Sequence, residues 1–502
     1  MSRSSASEID IKKIAQGTFF IFAITFFGLG LNYLYGIFLA RWLGAERFGL
    51  YALGLSIFNL LATFSLMGLD NATLRFIPGV SAAGHFSSMK IIIRNILKLG
   101  CFSGAGAAIL LAVSSPYLSN GLYQKRDLEP VFLAFAFAIP AYVCSSILLS
   151  ILQALQNVRW RMFVRYVSEP LARILLTAIL LFLGWALKAA LIGFIVALWG
   201  SVVLSYVGLI RILKKIGTQM EPNEHAEPTM PDIKGYVLPL LFGLLFSAVA
   251  DRSDVILLGY FNGATDTGIY AAALMTAGIL VIILQSQESF IAPLLSESLA
   301  LGIRQKTKEI FALSLRWSVL LGFPLFICFI LFSREILGLY GEAFQRAALC
   351  FVLLSIGQFF NLATGSANNI LLFSGKSRVV MVNELIKGVF QIALNILLIP
   401  RYGIIGAAIS MVASLTAINV LRLVEIYKLL RIHPYELDLM KPVGAAFTVY
   451  LLMILGKEMI QGSAALVMIP IGIGLYFLIL VSMGLKDQDR KAVEAIFRRV
   501  AI

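Results

Sequence analysis

Twelve ionisable side chains interrupt runs that are otherwise apolar: Asp70, Glu169, Arg173, Asp251, Arg252, Asp254, Glu288, Arg316, Glu384, Lys387, Arg422 and Glu425. At the centre of a membrane helix such a group costs ~2.5–3.5 kcal/mol on insertion scales, so it normally faces a partner or a wet chamber. Their chemistry divides by type. A carboxylate in a partly dry chamber can load and release a proton or hold a small cation. An arginine matches the oxygens of a phosphate in bidentate geometry, and a lysine acts as a point charge.

Spacing groups several of them. Arg165, Glu169, Arg173 and Thr177 recur every fourth residue, which predicts one stripe along a helix, and Asn383, Lys387, Gln391 and Asn395 do the same at an offset of 218 residues. Asp251 corresponds in turn to Asn32, so two helices bring a polar group to equivalent depth. Arg173, Arg252 and Lys387 are expected to recognise an anionic headgroup, with Gln391, Asn395, Glu169 and Asn32 lining the same site. The competing expectation is that the cations are neutralised by Glu169 and Glu384, or that the stripes only bond to neighbouring helices. Asp251 and Asp254, three residues apart, read either as a coupling-ion site or as partners of Arg252 or of an arginine elsewhere. Asp70 and Glu288 occupy nearly corresponding places and are expected near an inner gate.

The elements that must position these groups follow from a duplication. Leu39–Leu55 reads LARWLGAERFGLYALGL and Leu258–Leu274 reads LGYFNGATDTGIYAAAL, with seven of seventeen positions identical at an offset of 219. Each copy predicts a helix end, a glycine turn and a new helix. With 59% hydrophobic residues, 14% charged residues and mean hydropathy +0.89, the 502-residue chain is an integral membrane protein. Taking ~20 apolar residues per crossing, fourteen spans are predicted, at 14–40, 49–76, 91–114, 129–154, 163–184, 189–212, 235–260, 267–298, 309–332, 345–373, 379–399, 404–430, 441–459 and 464–484. The fold class is therefore all-α and polytopic. Two parallel six-helix repeats enclose a central cavity, and a helical hairpin follows them. The expected division is 1–215 for the first bundle, 216–234 for a cytoplasmic linker, 235–432 for the second bundle and 433–502 for the hairpin and tail.

Charge gives direction. With a cytoplasmic N-terminus the inner segments carry 27 lysines and arginines and the outer segments 9, which places both termini in the cytoplasm and accounts for the net charge of +14. That spread, with no single basic face, excludes nucleic acid as a partner. The four cysteines lack CxxC or metal-ligand spacing, and the three histidines assemble no triad or metal cluster, so no metal or cofactor is expected. The first apolar run is too long for a signal-peptide core and is expected to be retained. Pro170, directly after Glu169, predicts a kink on the striped helix.

The stretches ARWLGAERFGLYALG, GLDNATLRFIP, DRSDVILLGYFNGATDTGIYAAA and IPRYGIIGAAIS together resemble the Wzx-like polysaccharide-biosynthesis flippases of the multidrug/oligosaccharidyl-lipid/polysaccharide exporter superfamily, over spans one to twelve. The resemblance implies a fold like those of the multidrug exporters and lipid II flippases. It also implies alternating-access translocation of a polyprenyl-diphosphate-linked oligosaccharide from the cytoplasmic to the outer leaflet of the cell membrane. The implied partners are that substrate, membrane lipids, a coupling H+ or Na+, and other polysaccharide-assembly proteins. The lipid II flippases have an arginine cluster in their first two spans. Span one here has only Arg41, at its outer end, which weighs against the peptidoglycan precursor. The alternatives are a drug or cation antiporter of the same fold, and a membrane-embedded glycosyltransferase, polymerase or ligase. An enzyme of that kind needs a large outer loop, and none is predicted.

Overall fold

The computed structural model describes residues 4–82, 86–217, 233–435, 437–459 and 462–483, and every regular element among them is helical. In chain order the α-helices are α1 (Ser4–Leu66), α2 (Leu69–Ala82), α3 (Phe86–Pro116), α4 (Leu128–Ala154), α5 (Val158–Phe163), α6 (Glu169–Phe182), α7 (Ala186–Gly217), α8 (Ile233–Asn262) and α9 (Ala264–Ala277). They continue with α10 (Ile279–Ala300), α11 (Arg304–Leu331), α12 (Ser333–Gly338), α13 (Ala348–Leu362), α14 (Ala367–Phe373), α15 (Ser377–Leu430), α16 (Met440–Met459) and α17 (Met468–Ser482). Hydrocarbon offers no partner to a backbone amide, so a spanning segment must satisfy its hydrogen bonds internally, as a helix does. Ten helical stretches are long and apolar enough to cross a membrane. Two of these, 24–81 and 377–430, are each long enough for two crossings. Among the described residues, each of the fourteen predicted spans lies mainly on helix.

The long helices break where glycine takes a conformation that other residues avoid. Gly44 (φ 73°, ψ 171°) divides α1, and its repeat mate Gly263 (φ 84°) separates α8 from α9. Gly403 (φ 54°) divides α15. Past the first two breaks, the two copies of the repeat pack on each other. A Cβ at Gly49 would overlap the carbonyl oxygen of Ala264 and come within 2.8 Å of the Gly268 nitrogen. A Cβ at Gly268 would overlap the carbonyl oxygen of Ala45 and come within 2.8 Å of the Gly49 nitrogen. Ala45 pairs with Ala264 and Gly49 with Gly268 at the offset of 219, so the contact is reciprocal, as across a two-fold axis.

The helices form two compact units: Met1–Ala272 with Glu384–Ser410, and Ala273–Asn383 with Met411–Ile502. The first packs α1, α4 and α7 around Phe58, whose ring centroid lies 5.4 Å from that of Phe135 and 5.2 Å from that of Phe194. The second packs α10, α11, α14 and α15 around Phe311, Leu295, Ile370 and Ile426. Within it, Lys457 of α16 pairs with Glu335 of α12 at 3.0 Å. These units describe packing, whereas the expected six-helix halves describe duplication. Of the expected linker, residues 218–232 lie outside the described residues, as does the tail from 484 onward.

Gly49→Ala and Gly268→Ala are each expected to destabilise the protein by ~1–3 kcal/mol, the usual effect of overpacking. Gly30→Ala, where a Cβ meets no atom within 4 Å, should be neutral or slightly stabilising. Thermal unfolding of the purified variants in detergent measures all three.

Candidate functional site

In the first copy of the repeat, α1 and α6 carry the polar groups. The chain enters α6 through a π-helical turn, Val164–Ser168, and Pro170 sits in the first turn of α6. Pro lacks a backbone N–H and is tolerated there, just after the change from one helical form to the other. Arg165 precedes Glu169 by four residues, a spacing at which side chains meet on one helix face. Arg165 then pairs with Glu169 at 3.3 Å and lies 5.3 Å from the Tyr142 ring.

Arg173 is thereby left without Glu169. Its Nη2 donates to Oδ1 of Asn32, whose own Nδ2 donates to the carbonyl of Gly28 at 2.8 Å. The guanidinium carbon lies 4.7 Å from the centroid of the Tyr35 ring and 5.9 Å from that of Phe194. Its Nε is buried without an acceptor, and no carboxylate among the described residues lies within ion-pair distance. Tyr35 is itself held by Thr177 Oγ1 at 3.2 Å and by the Tyr51 hydroxyl.

In the second copy the aligned positions carry different chemistry and only part of the contact pattern repeats, because at the offset of 218 Lys387 is the mate of Glu169 and Gln391 that of Arg173. Asp251, the mate of Asn32, receives Lys387 Nζ at 2.9 Å and the Ser247 hydroxyl at 3.4 Å. Glu384 lies 4.0 Å from Lys387. Asp254, the mate of Tyr35, accepts from the Tyr270 hydroxyl at 2.6 Å and from the backbone N–H of Val255 at 2.7 Å. Tyr270 is the mate of Tyr51, so that bond is repeated as well. Asn395, the mate of Thr177, donates to Ser253 at 3.0 Å.

Asp251 and Asp254 do not form a pair. The side chain of Asp251 is half-exposed, and Asp254 is buried. Arg252 lies on the same helix and makes no hydrogen bond or ion pair among the described residues. Gln391 and Asn395 are buried in the same unit. Asp70 stands in the first turn of α2, where its carboxylate accepts from the backbone N–H groups of Asp70 and Asn71, with Arg161 nearby. Glu288 belongs to the second unit, hydrogen-bonded to Asn369. There Arg422 donates to Asn419 at 3.1 Å, Asn419 to Asn361 at 2.9 Å, and Asn383 to Glu425 at 2.6 Å.

Tyr35, Tyr51, Ser253 and Tyr270 escaped the list of expected site residues. Tyr51 and Tyr270 were among the identical positions of the repeat. Tyr35 lies three residues from Asn32 and aligns with Asp254, so the duplication held the signal.

The family model described as polysaccharide biosynthesis protein matches residues 14–299, more than half of the chain. The chain belongs to this family. A second model, MatE, matches residues 239–397. Among individual proteins the chain is similar to a probable low-salt glycan biosynthesis flippase of Haloferax volcanii, 26% identical over 81% of this chain and 82% of that one. It is also similar to a putative O-antigen transporter of Shigella flexneri, 26% identical over 74% of this chain and 88% of that one. Its fold is that of the lipid II flippase MurJ in an inward closed conformation, with a TM-score of 0.67 at 15% identity, covering 92% of this chain and 98% of that one. The family, the expected superfamily and the helical transporter fold agree, and the protein is a multi-pass membrane protein.

Tyr270→Phe is expected to destabilise the protein by ~1–3 kcal/mol, because it strips a donor from the buried Asp254. A double-mutant cycle of Asp251→Asn with Lys387→Met should give a favourable coupling of ~1 kcal/mol, since Lys387 is mostly buried beside Asp251. Both are read from unfolding transitions of the purified variants.

Proposed function

We propose that this protein is a flippase that moves a polyprenyl-diphosphate-linked oligosaccharide from the cytoplasmic to the outer leaflet of the cell membrane for surface polysaccharide synthesis. The observation that carries the reading is Arg173, a guanidinium within an apolar helix that has no carboxylate partner among the described residues. A charge held this way is available to an anionic headgroup, and the guanidinium geometry suits phosphate oxygens. The family, and the names of the Haloferax volcanii and Shigella flexneri relatives, support a glycan-lipid substrate. Transport, and not catalysis, is the activity.

In this reading the six-helix halves, 1–215 and 235–432, alternate access about the repeat axis, with both termini cytoplasmic as the charge distribution favours. Arg252, Lys387, Gln391, Asn395, Glu169 and Asn32 contribute to the substrate site. Asp251, released from Lys387 when substrate arrives, is the first choice for coupling to H+ or Na+, with Asp254, Glu288 and Asp70 after it. The MatE match over residues 239–397 favours a second reading, an antiporter for a small organic cation.

Arg173→Ala should abolish surface polysaccharide and cause lipid-linked precursor to accumulate on the cytoplasmic side, with protein levels in the membrane unchanged. Normal polysaccharide in that strain, together with raised sensitivity to cationic drugs, would favour the antiporter. Asp251→Asn should make transport in proteoliposomes insensitive to the ion gradient; full retention of gradient dependence removes it as the coupling residue.

A further inference from the structure

The two copies of the repeat each bring a cation to the polar position of the first helix, Asn32 or Asp251, but from stripe positions one turn apart, and they treat its charge differently. In the second copy the cation Lys387 meets the carboxylate of Asp251 at 2.9 Å, and the two cancel. In the first copy the cation Arg173 meets a neutral amide, Asn32, and the one carboxylate on its own helix, Glu169, is taken by Arg165. The position that holds Asp254 in the second copy holds Tyr35 in the first. An aromatic ring attracts a cation through its quadrupole and adds no net negative charge. Tyr35 therefore does for Arg173 what an acid cannot: it fixes the guanidinium and leaves its charge intact.

The ring is well placed for this. Its side chain is buried, with 5% of the residue exposed, and the guanidinium carbon lies 4.7 Å from its centroid. Its hydroxyl is tied to Thr177 at 3.2 Å and to Tyr51, so the ring cannot swing away. Of the five N–H donors of a guanidinium, the described contacts of Arg173 use one. A diphosphate arriving at the second copy would have to displace an existing ion pair and face Asp251. At the first copy it meets an uncancelled cation that still has donors to give.

We infer that Tyr35 is the positioning residue that presents Arg173 to the diphosphate, and that the first copy of the repeat, not the second, takes this group. The inference rests on the flippase reading above and names which part of that site holds the phosphates. Farnesyl diphosphate and farnesyl monophosphate serve as probes, with binding to the full-length protein in nanodiscs measured by native mass spectrometry. The wild type should prefer the diphosphate, and Arg173→Ala should lose that preference. Tyr35→Leu and Tyr35→Met should each weaken diphosphate binding about tenfold, while Tyr35→Phe, which keeps the ring, stays within about threefold of wild type. Lys387→Met should weaken diphosphate binding by less than Arg173→Ala does.

Equal unfolding temperatures for the Tyr35 series separate positioning from folding. Two non-aromatic replacements are used so that one failing to fold leaves the other to decide, and if both fail, the Arg173→Ala and Lys387→Met pair still tests which copy binds. Wild-type affinity in a folded Tyr35→Leu or Tyr35→Met variant overturns the role of Tyr35, and a greater loss in Lys387→Met than in Arg173→Ala overturns the assignment to the first copy. If Arg173→Ala binds both probes as the wild type does, the flippase site itself is wrong at Arg173, an outcome distinct from failure of Tyr35 alone.

Discussion

A charge inside a membrane helix has to be stabilised by something nearby, and the choice of partner decides what that charge can still do. A carboxylate at ion-pair distance stabilises an arginine most strongly but cancels its field. An amide and an aromatic ring stabilise it less and leave the field in place. The surroundings of Arg173 follow the second route: Asn32 on one side, the face of Tyr35 on the other, and Glu169 drawn off by Arg165. Glu169 has a cation four residues to either side, and its pairing with Arg165 leaves Arg173 to neutral partners. The choice made by one carboxylate thus determines a property of the site.

The same logic links the site to the repeat. Gly44 and Gly263 turn the chain at equivalent points, and Gly49 and Gly268 let the two copies approach until no Cβ would fit. Because the backbones correspond, one buried contact repeats, Tyr51 to Tyr35 and Tyr270 to Asp254, while Asn32 and its mate Asp251 each take a cation from stripe positions one turn apart, Arg173 and Lys387. Tyr35 and Asp254 changed chemistry while keeping their contact. A duplicated scaffold allows this, since the geometry of each contact is set by packing elsewhere, in the aromatic cluster about Phe58 and in the glycine crossing.

Much of this was legible in the sequence. Apolar runs of spanning length gave the helices, since in hydrocarbon few other structures satisfy the backbone. The glycine turns at Gly44 and Gly263 and the correspondence of Asn32 with Asp251 were visible because duplication preserves spacing even where identity is lost. What could not be read was the choice among near neighbours. Four-residue spacing put Arg165, Glu169 and Arg173 on one stripe and left open which cation Glu169 would take. Both cations lie four residues from Glu169, and no pattern of hydrophobicity distinguishes them. Tyr35 was passed over because an aromatic residue in an apolar helix looks like packing until a guanidinium is found above it. The depth of Asp254 relative to Asp251 was equally hidden: three residues apart, one meets Tyr270 in a packed layer and the other faces outward.

The asymmetry between the copies bears on how a symmetric scaffold can carry an anionic cargo in one direction. Two identical cationic sites would hold a diphosphate from both sides and oppose its release. Two neutralised sites would give it nothing to bind. One copy with an uncancelled arginine and the other with a lysine already paired provides a strong contact and a conditional one. In the proposed flippase, the second contact becomes available only when Lys387 leaves Asp251, and that exchange would expose a carboxylate able to take up a proton or cation at the moment the substrate is engaged. In the same proposal, substrate binding at Lys387 and ion binding at Asp251 then favour each other, since each breaks the same pair, which is the minimum requirement for coupling them.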